Sequence, residues 1–321
     1  MPTVRTVTVK SSGGDYTSLE AARAGEASLH ASLVSADIQL NIVLFAMTDT
    51  ATLGNWNVFT TDATRYIDIY ADSSAAQNGV WDSSGSKYTL SGSAGIVNMR
   101  TYCRVHGFQI AVTNTLGALG INGTAIGVVF YNLLIYVSAD SSHTATGIYS
   151  PTTTAYFYNC IVIILAGSSA SRCMYVNNLC VVYSCIAINP FGLVSISRLG
   201  GTVLVKNCYA SATSLAYQNC TLTTCASSDS SSGSVGLRGI AYSTANFTNV
   251  TPGAEDFHLP TGSALIGVGT DTSGDAAPMN FTNDIAGLTR TAPWDVGAFK
   301  YNPATGLYTR RGMTARVGSR F

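Results

Sequence analysis

The densest group of side chains that could perform acid–base chemistry lies between residues 62 and 82. Four aspartates fall in this segment, together with Arg65: Asp62, Asp68, Asp72 and Asp82. Carboxylates close together on neighbouring strands can serve as a general acid and a general base, or can hold a calcium ion. The alternative interpretation is that these aspartates cap turns, as Asp commonly does before Ser or Thr.

Two further pairs of polar residues could contribute to a site. Asp140 and His143 lie three residues apart in a Ser-rich segment and could form an acid–base pair, or could belong to a solvated loop. Arg104 and His106 lie two residues apart, so on a strand they share one face. That face could bind an anionic sugar, or could be an ordinary polar strand surface.

The middle of the chain is almost free of acidic residues. Between Ser83 and Ser228 there is one, Asp140, and no glutamate. One carboxylate supplies neither an acid–base pair nor the 6–8 oxygens that calcium takes. The sequence therefore predicts no catalytic residue, no metal ion and no other cofactor, with the aspartates above and the Asp140–His143 pair as the alternatives.

Other classes of site and partner are also disfavoured. The eight cysteines form no C-x-x-C pair, which argues against zinc. Basic residues do not alternate with aromatic ones, so nucleic acid is not an expected partner. No apolar stretch reaches the roughly 18–20 residues of a membrane span. The first residues, Met1 to Arg5, show no apolar secretion signal.

A six-residue motif, here called the repeated phrase, recurs about every 25 residues and predicts the fold. Its fourth residue falls at positions 108, 133, 160, 185 and 208, so the spacings are 25, 27, 25 and 23 residues. Its copies begin Val105-His106-Gly107, Phe130-Tyr131-Asn132, Phe157-Tyr158-Asn159, Val182-Tyr183-Ser184 and Val205-Lys206-Asn207. Apolar and aromatic residues alternate at period two with no helical pattern between them, which predicts stacked short parallel strands. The expected fold is all-β: one parallel β-helix.

Two positions of the phrase have predicted structural roles. The third residue should tolerate the left-handed conformation of a sharp corner and form a ladder; Asn occupies it in three copies, Asn132, Asn159 and Asn207. The fourth should stack inward, as a column of Phe108, Leu133, Cys160, Cys185 and Cys208. Parallel strands keep equivalent side chains about 4.8 Å apart, whereas a disulfide needs Cβ atoms about 3.8 Å apart. The cysteines are therefore predicted to be buried free thiols.

The ends of the chain are predicted to differ from the repeat. Residues 1–30 should form an N-terminal cap, a strand followed by a helix over 17–24 that opens with a Thr17–Glu20 capping box. The β-helix should occupy 31–301, with 256–301 as a closing block. Residues 302–321 form a basic tail.

The opening Gly13-Gly14-Asp15-Tyr16-Thr17-Ser18-Leu19-Glu20-Ala21-Ala22 resembles that of right-handed parallel β-helix proteins of the pectate-lyase-like superfamily, including phage tailspikes. The motifs Asp256-Phe257-His258-Leu259, Asp284-Ile285-Ala286-Gly287-Leu288-Thr289-Arg290 and Trp294-Asp295-Val296-Gly297 are similar to the closing block common in that group. The resemblance implies a right-handed β-helix. It leaves function open, because the superfamily contains lyases, hydrolases, adhesins and virion proteins.

The leading functional expectation is a non-enzymatic structural or attachment protein of a bacteriophage virion: a fibre, a spike or a capsid decoration. It rests on the scarcity of carboxylates, the absence of a secretion signal and the basic tail. The tail should dock on other virion proteins through Arg310, Arg311, Arg316 and Arg320, with Phe321 or Tyr308 in a pocket.

Two alternatives stay open: a polysaccharide lyase or hydrolase that acts on a surface glycan, and a glycan-binding adhesin. The resemblance also implies a homo-oligomer, a trimer among the options, and a host surface glycan as an additional partner. The expected location is the virion, after synthesis in the host cytoplasm, with the extracellular space or a cell surface as the alternative.

Overall fold

The chain folds into a parallel β-helix built from three sheets. The computed structural model describes residues 1–93, 95–96, 99, 102–123, 126–151, 154–177, 179–201 and 203–303. Within them, every pairing between named strands is parallel, and from Cys103 to Gln218 each turn of the chain adds one strand to each sheet in succession. The predicted all-β parallel β-helix with an N-terminal helix is confirmed; its right-handed sense stays a prediction.

The strands are numbered along the chain. The first sheet consists of β1 (Thr3–Val9), β2 (Ile38–Leu44), β4 (Ile67–Ala71), β6 (Cys103–His106), β9 (Val128–Tyr131), β12 (Ala155–Tyr158), β15 (Val181–Tyr183), β18 (Leu204–Lys206) and β21 (Thr221–Thr223). The second consists of β3 (Met47–Asp49), β5 (Tyr88–Gly92), β7 (Gln109–Thr113), β10 (Leu134–Ser138), β13 (Ile161–Ala166), β16 (Ile186–Asn189), β19 (Tyr209–Ala212) and β22 (Ala226–Ser227). The third consists of β8 (Ala118–Asn122), β11 (Ala145–Ser150), β14 (Arg172–Val176), β17 (Val194–Arg198) and β20 (Leu215–Gln218).

The corner between the first and second sheets falls at the third residue of the repeated phrase. Backbone φ there is positive in all five copies: Gly107 85°, Asn132 50°, Asn159 51°, Ser184 51° and Asn207 55°. The same corner of the next coil, at Thr224, has a φ of 48°. An ordinary L-residue pays about 1–2 kcal/mol for this conformation, and Asn less than most. The side chains also meet along the axis, since Asn159 Nδ2 donates to Asn132 Oδ1 at 3.2 Å.

The fourth residue of the phrase points into the core. Phe108, Leu133, Cys160, Cys185 and Cys208 are all fully buried and belong to one apolar cluster. The thiols also accept hydrogen bonds from the backbone of the preceding coil. The N–H of Cys160 donates to Cys185 Sγ at 3.4 Å, and the N–H of Cys185 donates to Cys208 Sγ at 3.3 Å. All eight cysteines are free thiols, and all but the partly exposed Cys220 are buried.

Two helices close the N-terminal end of the stack. They are α1 (Leu19–His30) and α2 (Leu33–Ala36), and a 3₁₀ turn follows at Trp56–Val58. Leu19 and Ala22 of α1 join the interior cluster. The helix therefore covers core that the first coil would otherwise leave open to water.

The helix differs from the predicted span of 17–24. It begins two residues later and runs six residues further. Ser18, not Thr17, is the N-cap, because its side chain accepts the N–H of Ala21 at 3.1 Å. Glu20 forms no capping box; it binds Arg23 and accepts the N–H of Gly54 at 2.7 Å.

The C-terminal part of the chain also differs from the prediction. The last strand of the stack ends at Ser227, and residues 228–303, here called the C-terminal arm, run across the outer face of the second sheet. The outward side chains of that sheet are apolar, among them Leu134, Ile161, Ile163 and Ile186. They need a cover, and Phe247, Phe257, Leu265, Ile285 and Phe299 of the arm supply it. The closing block 256–301 therefore packs beside the stack and does not extend it.

The predicted docking residues of the tail, Tyr308, Arg310, Arg311, Arg316, Arg320 and Phe321, lie outside the described residues. None of the helices in the described ranges has the length and apolar character required to cross a membrane.

Candidate functional site: a tyrosine-lined groove on the first sheet

A groove of about 640 Å³ lies on the outer face of the first sheet. Strands β6, β9 and β12 form its floor, through Arg104, Val129, Tyr131, Tyr156 and Tyr158. Its remaining lining comes from outside these strands: Ala63, Tyr66, Tyr102, Ile126, Gly127, Thr154, Ala277 and Pro278. A concave surface with a mostly apolar or aromatic lining and a few polar groups is the usual form of a ligand site.

The repeated phrase itself builds the floor. In Phe130-Tyr131-Asn132 and Phe157-Tyr158-Asn159 the Phe points inward, so the Tyr of the next position points outward. Parallel pairing places Tyr131 directly beside Tyr158. Successive coils therefore repeat the same outward tyrosine.

These outward rings form a continuous stack along the axis. His106 lies between Tyr70, at 5.3 Å between ring centroids, and Tyr131, at 4.1 Å. Tyr131 stacks on Tyr158 at 4.7 Å, and Tyr158 stacks on Phe281 of the C-terminal arm at 4.4 Å. Because their faces cover each other, Tyr131 and Tyr158 present ring edges and hydroxyls to a ligand.

Five tyrosine hydroxyls surround the groove: those of Tyr66, Tyr102, Tyr131, Tyr156 and Tyr158. None of them makes a hydrogen bond to another described residue. Burial raises the pKa of Tyr131 and Tyr158 above its usual range, so both hydroxyls stay neutral. A neutral hydroxyl both donates and accepts, which suits a ligand rich in hydroxyls.

Arg104 is the charged side chain in the lining. Its guanidinium lies over the ring of Tyr66, 4.2 Å from the centroid, which orients the group without neutralising it. Among the described residues it forms no ion pair. A guanidinium held open in this way can bind a carboxylate or a sulfate through two parallel hydrogen bonds.

Asp68 and His106 lie at the margin of the groove. Asp68 pairs in register with Arg104 across β4 and β6, and its Oδ1 lies 3.2 Å from His106 Nε2. The two atoms are close but not aligned as a hydrogen bond. The structure thus brings together one of the four aspartates of residues 62–82 with both members of the Arg104–His106 pair.

The other three aspartates of that segment lie in turns. Asp62 accepts the N–H groups of Thr64 and Arg65, and these bonds hold its pKa at about 2. Asp72 accepts the N–H of Ser74, and Asp82 that of Ser84. None of the three lines the groove, and each stabilises the turn in which it lies.

Asp140 and His143 lie on the corner between β10 and β11. They meet through the backbone, where the N–H of His143 donates to the Asp140 carbonyl at 2.8 Å, while His143 Nδ1 lies 3.0 Å from Ser142 Oγ. In the ranges that the structure describes, no three His, Cys, Asp or Glu side chains are grouped so as to hold a metal ion.

Comparisons with known proteins add little to this geometry. No protein-family model and no curated protein sequence matches the chain. Among solved structures, that of the pectate lyase Pel9A is similar, at 12% sequence identity over 94% of this chain and 97% of that one, with a TM-score of 0.33. A likeness this distant transfers neither an activity nor a site residue.

The sequence alone had pointed to part of the groove. It singled out Arg104, His106 and Asp68, but missed the five tyrosines and the contribution of the arm. The tyrosines carried a signal, namely the second position of the phrase. Ala277 and Pro278 carried none, because they come from a segment without periodicity.

Proposed function

We propose that the protein binds an acidic glycan, one that carries carboxylate or sulfate groups, in the groove on its first sheet. The observation that carries the proposal is the combination of five tyrosine hydroxyls that bind no other residue in the described part of the chain with one guanidinium that pairs with no carboxylate there. A sugar chain offers hydroxyls along its length, and an acidic substituent would bind Arg104.

Binding of the unmodified protein to alginate, polygalacturonate and hyaluronan, which carry carboxylates, and to dextran sulfate, which carries sulfates, tests the proposal. Isothermal titration calorimetry should detect binding to at least one of them. Arg104→Gln should weaken that binding by roughly tenfold or more, because a charge-assisted hydrogen bond contributes about 1.5–3 kcal/mol.

The matched control is Arg172→Gln, an arginine on the third sheet that binds the backbone carbonyls of Ala170 and Ser171. It should leave the affinity unchanged. Failure of all four polymers to bind would contradict the proposal, as would equal effects of the two substitutions.

A second function, cleavage of the bound glycan, is favoured by one observation. Asp68 and His106 lie 3.2 Å apart, and Arg104 is the register partner of Asp68 in the same pair of strands. In an elimination, His106 would accept the proton of the sugar carbon next to the carboxylate, while the glycosidic C–O bond at the neighbouring carbon breaks and leaves a double bond. The departing oxygen would take a proton from water, and Asp68 would stabilise the imidazolium. Ultraviolet absorbance of an unsaturated product, or release of reducing ends, would reveal cleavage, and His106→Gln should abolish it.

A role in a bacteriophage virion remains a separate proposal. The scarcity of carboxylates and the basic tail support it, and glycan binding suits an attachment protein. Deleting 302–321 should prevent incorporation into the parent particle while leaving the melting temperature of the body unchanged. Normal incorporation of the shortened protein would contradict the docking role of the tail.

A further inference from the structure

The groove is shorter than the sheet on which it lies. The first sheet continues through β15, β18 and β21 beyond β12. The lining of the groove, however, includes no residue of those three strands. Where the floor stops at Tyr156 and Tyr158, the lining passes to Ala277 and Pro278 of the C-terminal arm. The arm therefore forms the end of the groove.

Phe281 of the arm takes the place of the next tyrosine. Tyr183 pairs in register with Tyr158 and faces outward like it. Yet Tyr158 stacks on Phe281, with an angle of 9° between the ring planes, and Tyr183 is only 4% exposed. The stack of outward aromatic rings therefore ends on Phe281 of the arm, although Tyr183 occupies the equivalent position in the next coil.

The arm is anchored on both sides of Phe281. On one side, Asp275 Oδ2 lies 2.5 Å from Lys206 Nζ on β18, and the Thr270 carbonyl accepts a bond from Asn207 Nδ2 at 2.6 Å. On the other, the Asn283 carbonyl accepts a bond from Asn159 Nδ2 at 2.8 Å. Two corner asparagines of the repeat thus hold this part of the arm against the stack.

The opposite end of the groove lies at the loop before β4. Ala63 and Tyr66 of this loop line the groove there, and the Tyr66 ring underlies Arg104. From β6 to β12 the floor spans two strand spacings, about 10 Å. That length accommodates a short piece of a sugar chain and not an extended polymer segment.

We propose that the groove binds the end of an acidic glycan chain and that the C-terminal arm is the wall that prevents the chain from continuing along the sheet. This inference rests on the proposed glycan binding. It adds that the ligand terminates against Ala277, Pro278 and Phe281. Polymer interiors should therefore be poor ligands, and each chain should bind few protein molecules however long it is.

The number of proteins bound per chain tests the inference. Size-fractionated samples of the four polymers named above would be titrated with the unmodified protein, and stoichiometry measured by calorimetry and sedimentation. The expected result is a constant number per chain as chain length increases. A number that rises in proportion to length would overturn the inference while leaving glycan binding intact. Absence of binding to every polymer would instead contradict glycan binding itself.

Variants of the wall make the test specific. Phe281→Ala removes the ring on which the aromatic stack ends, and Asp275→Asn removes the ion pair with Lys206 without touching the apolar packing. Each should convert the constant stoichiometry into one that rises with chain length. Tyr301→Phe is the control, since it removes a contact within the arm, between Tyr301 OH and Thr261 Oγ1 at 3.0 Å, outside the groove lining. If both wall variants retain a constant number per chain, the arm is not the wall.

Discussion

Replacement of Arg290 by Ala should detach the C-terminal arm from the stack. Arg290 is 5% exposed and donates to four groups: the carbonyls of Gly297 at 2.9 Å, Asp295 at 3.3 Å and Phe299 at 3.4 Å, and Asn159 Oδ1 at 3.2 Å. Three of these acceptors belong to the arm and the fourth to a corner of the β-helix. The guanidinium therefore fastens the arm to itself and to the stack at once.

The size of the effect follows from these contacts. A buried acceptor left without a donor costs about 1–3 kcal/mol, and four acceptors would lose theirs. Water entering the vacated space would satisfy some of them, so the expected loss is about 3–5 kcal/mol, as for the breaking of a buried charged pair. Burial lowers the pKa of Arg290 to about 10, against the opposing pull of Asp284 and Asp295, so the group is still charged at neutral pH.

Urea unfolding measures the loss, and limited proteolysis locates it. The Arg290→Ala variant should be cleaved first within residues 228–303, while the coils up to Ser227 resist. Arg290→Lys keeps the charge but cannot reach four acceptors, so its loss should be smaller. Arg238→Ala is the control, because Arg238 is exposed and donates once, to the Gly233 carbonyl. A loss below about 1 kcal/mol for Arg290→Ala, or cleavage spread evenly over the chain, would refute the reasoning.

Three further outcomes are expected. Burial raises the pKa of Asp229, but hydrogen bonds from Ser232 and neighbouring N–H groups outweigh this effect and hold the pKa at about 2. The free energy of unfolding should therefore fall by on the order of 1 kcal/mol between about pH 4 and pH 2, as the carboxylate takes up a proton. Asp229→Asn should remove that pH dependence, and an unchanged acid limb in urea titrations would contradict it. Asn159→Ala should lose about 2–3 kcal/mol, from its φ of 51° and its bond to Asn283, whereas Asn159→Gly should lose less because Gly adopts that φ freely; equal melting temperatures would contradict this. A thiol reagent should modify Cys220 before the other thiols and about eight groups after unfolding, and eight fast groups in the native protein would exclude the buried column.

The stack was predictable because its information is local and repeated. Each copy of the phrase specifies an inward residue, an outward residue and a corner, and parallel pairing then aligns the copies. The left-handed φ at Asn132, Asn159 and Asn207 follows from residue type together with the recurring corner position. A period shared by five copies also fixes the register, since a slip by one position would turn every core side chain outward.

The start of α1 was not predictable in the same way. Thr17 and Ser18 are both good N-cap residues, so sequence gives no preference between them. The choice depends on distant partners: Asp49 Oδ2 accepts the N–H of Leu19 at 2.6 Å, and Glu20 binds the N–H of Gly54. These contacts exist only once the second coil has folded beneath the helix.

The sequence does indicate that the outer face of the second sheet, which the arm covers, is buried. In Ile161-Val162-Ile163-Ile164 the apolar run is continuous, and all four side chains are buried. A strand with one face in water would alternate apolar and polar residues, so a continuous apolar run predicts that both faces are buried. It does not identify the cover, because the arm residues Phe247 and Phe257 belong to no repeat.

The groove combines both kinds of information, and this explains why only half of it could be predicted. Its floor comes from the repeat, since the residue that follows each inward Phe must point outward, and in two successive coils that residue is Tyr. Its two ends come from unique segments, the loop at Ala63 and the arm at Pro278. A regular sheet face has no natural end, so only non-repeating chain can turn it into a site of limited length. The two ends should accordingly decide how much of a glycan chain the groove accepts, and substitutions in the loop or the arm should change that length, whereas Arg104 of the floor recognises the acidic group.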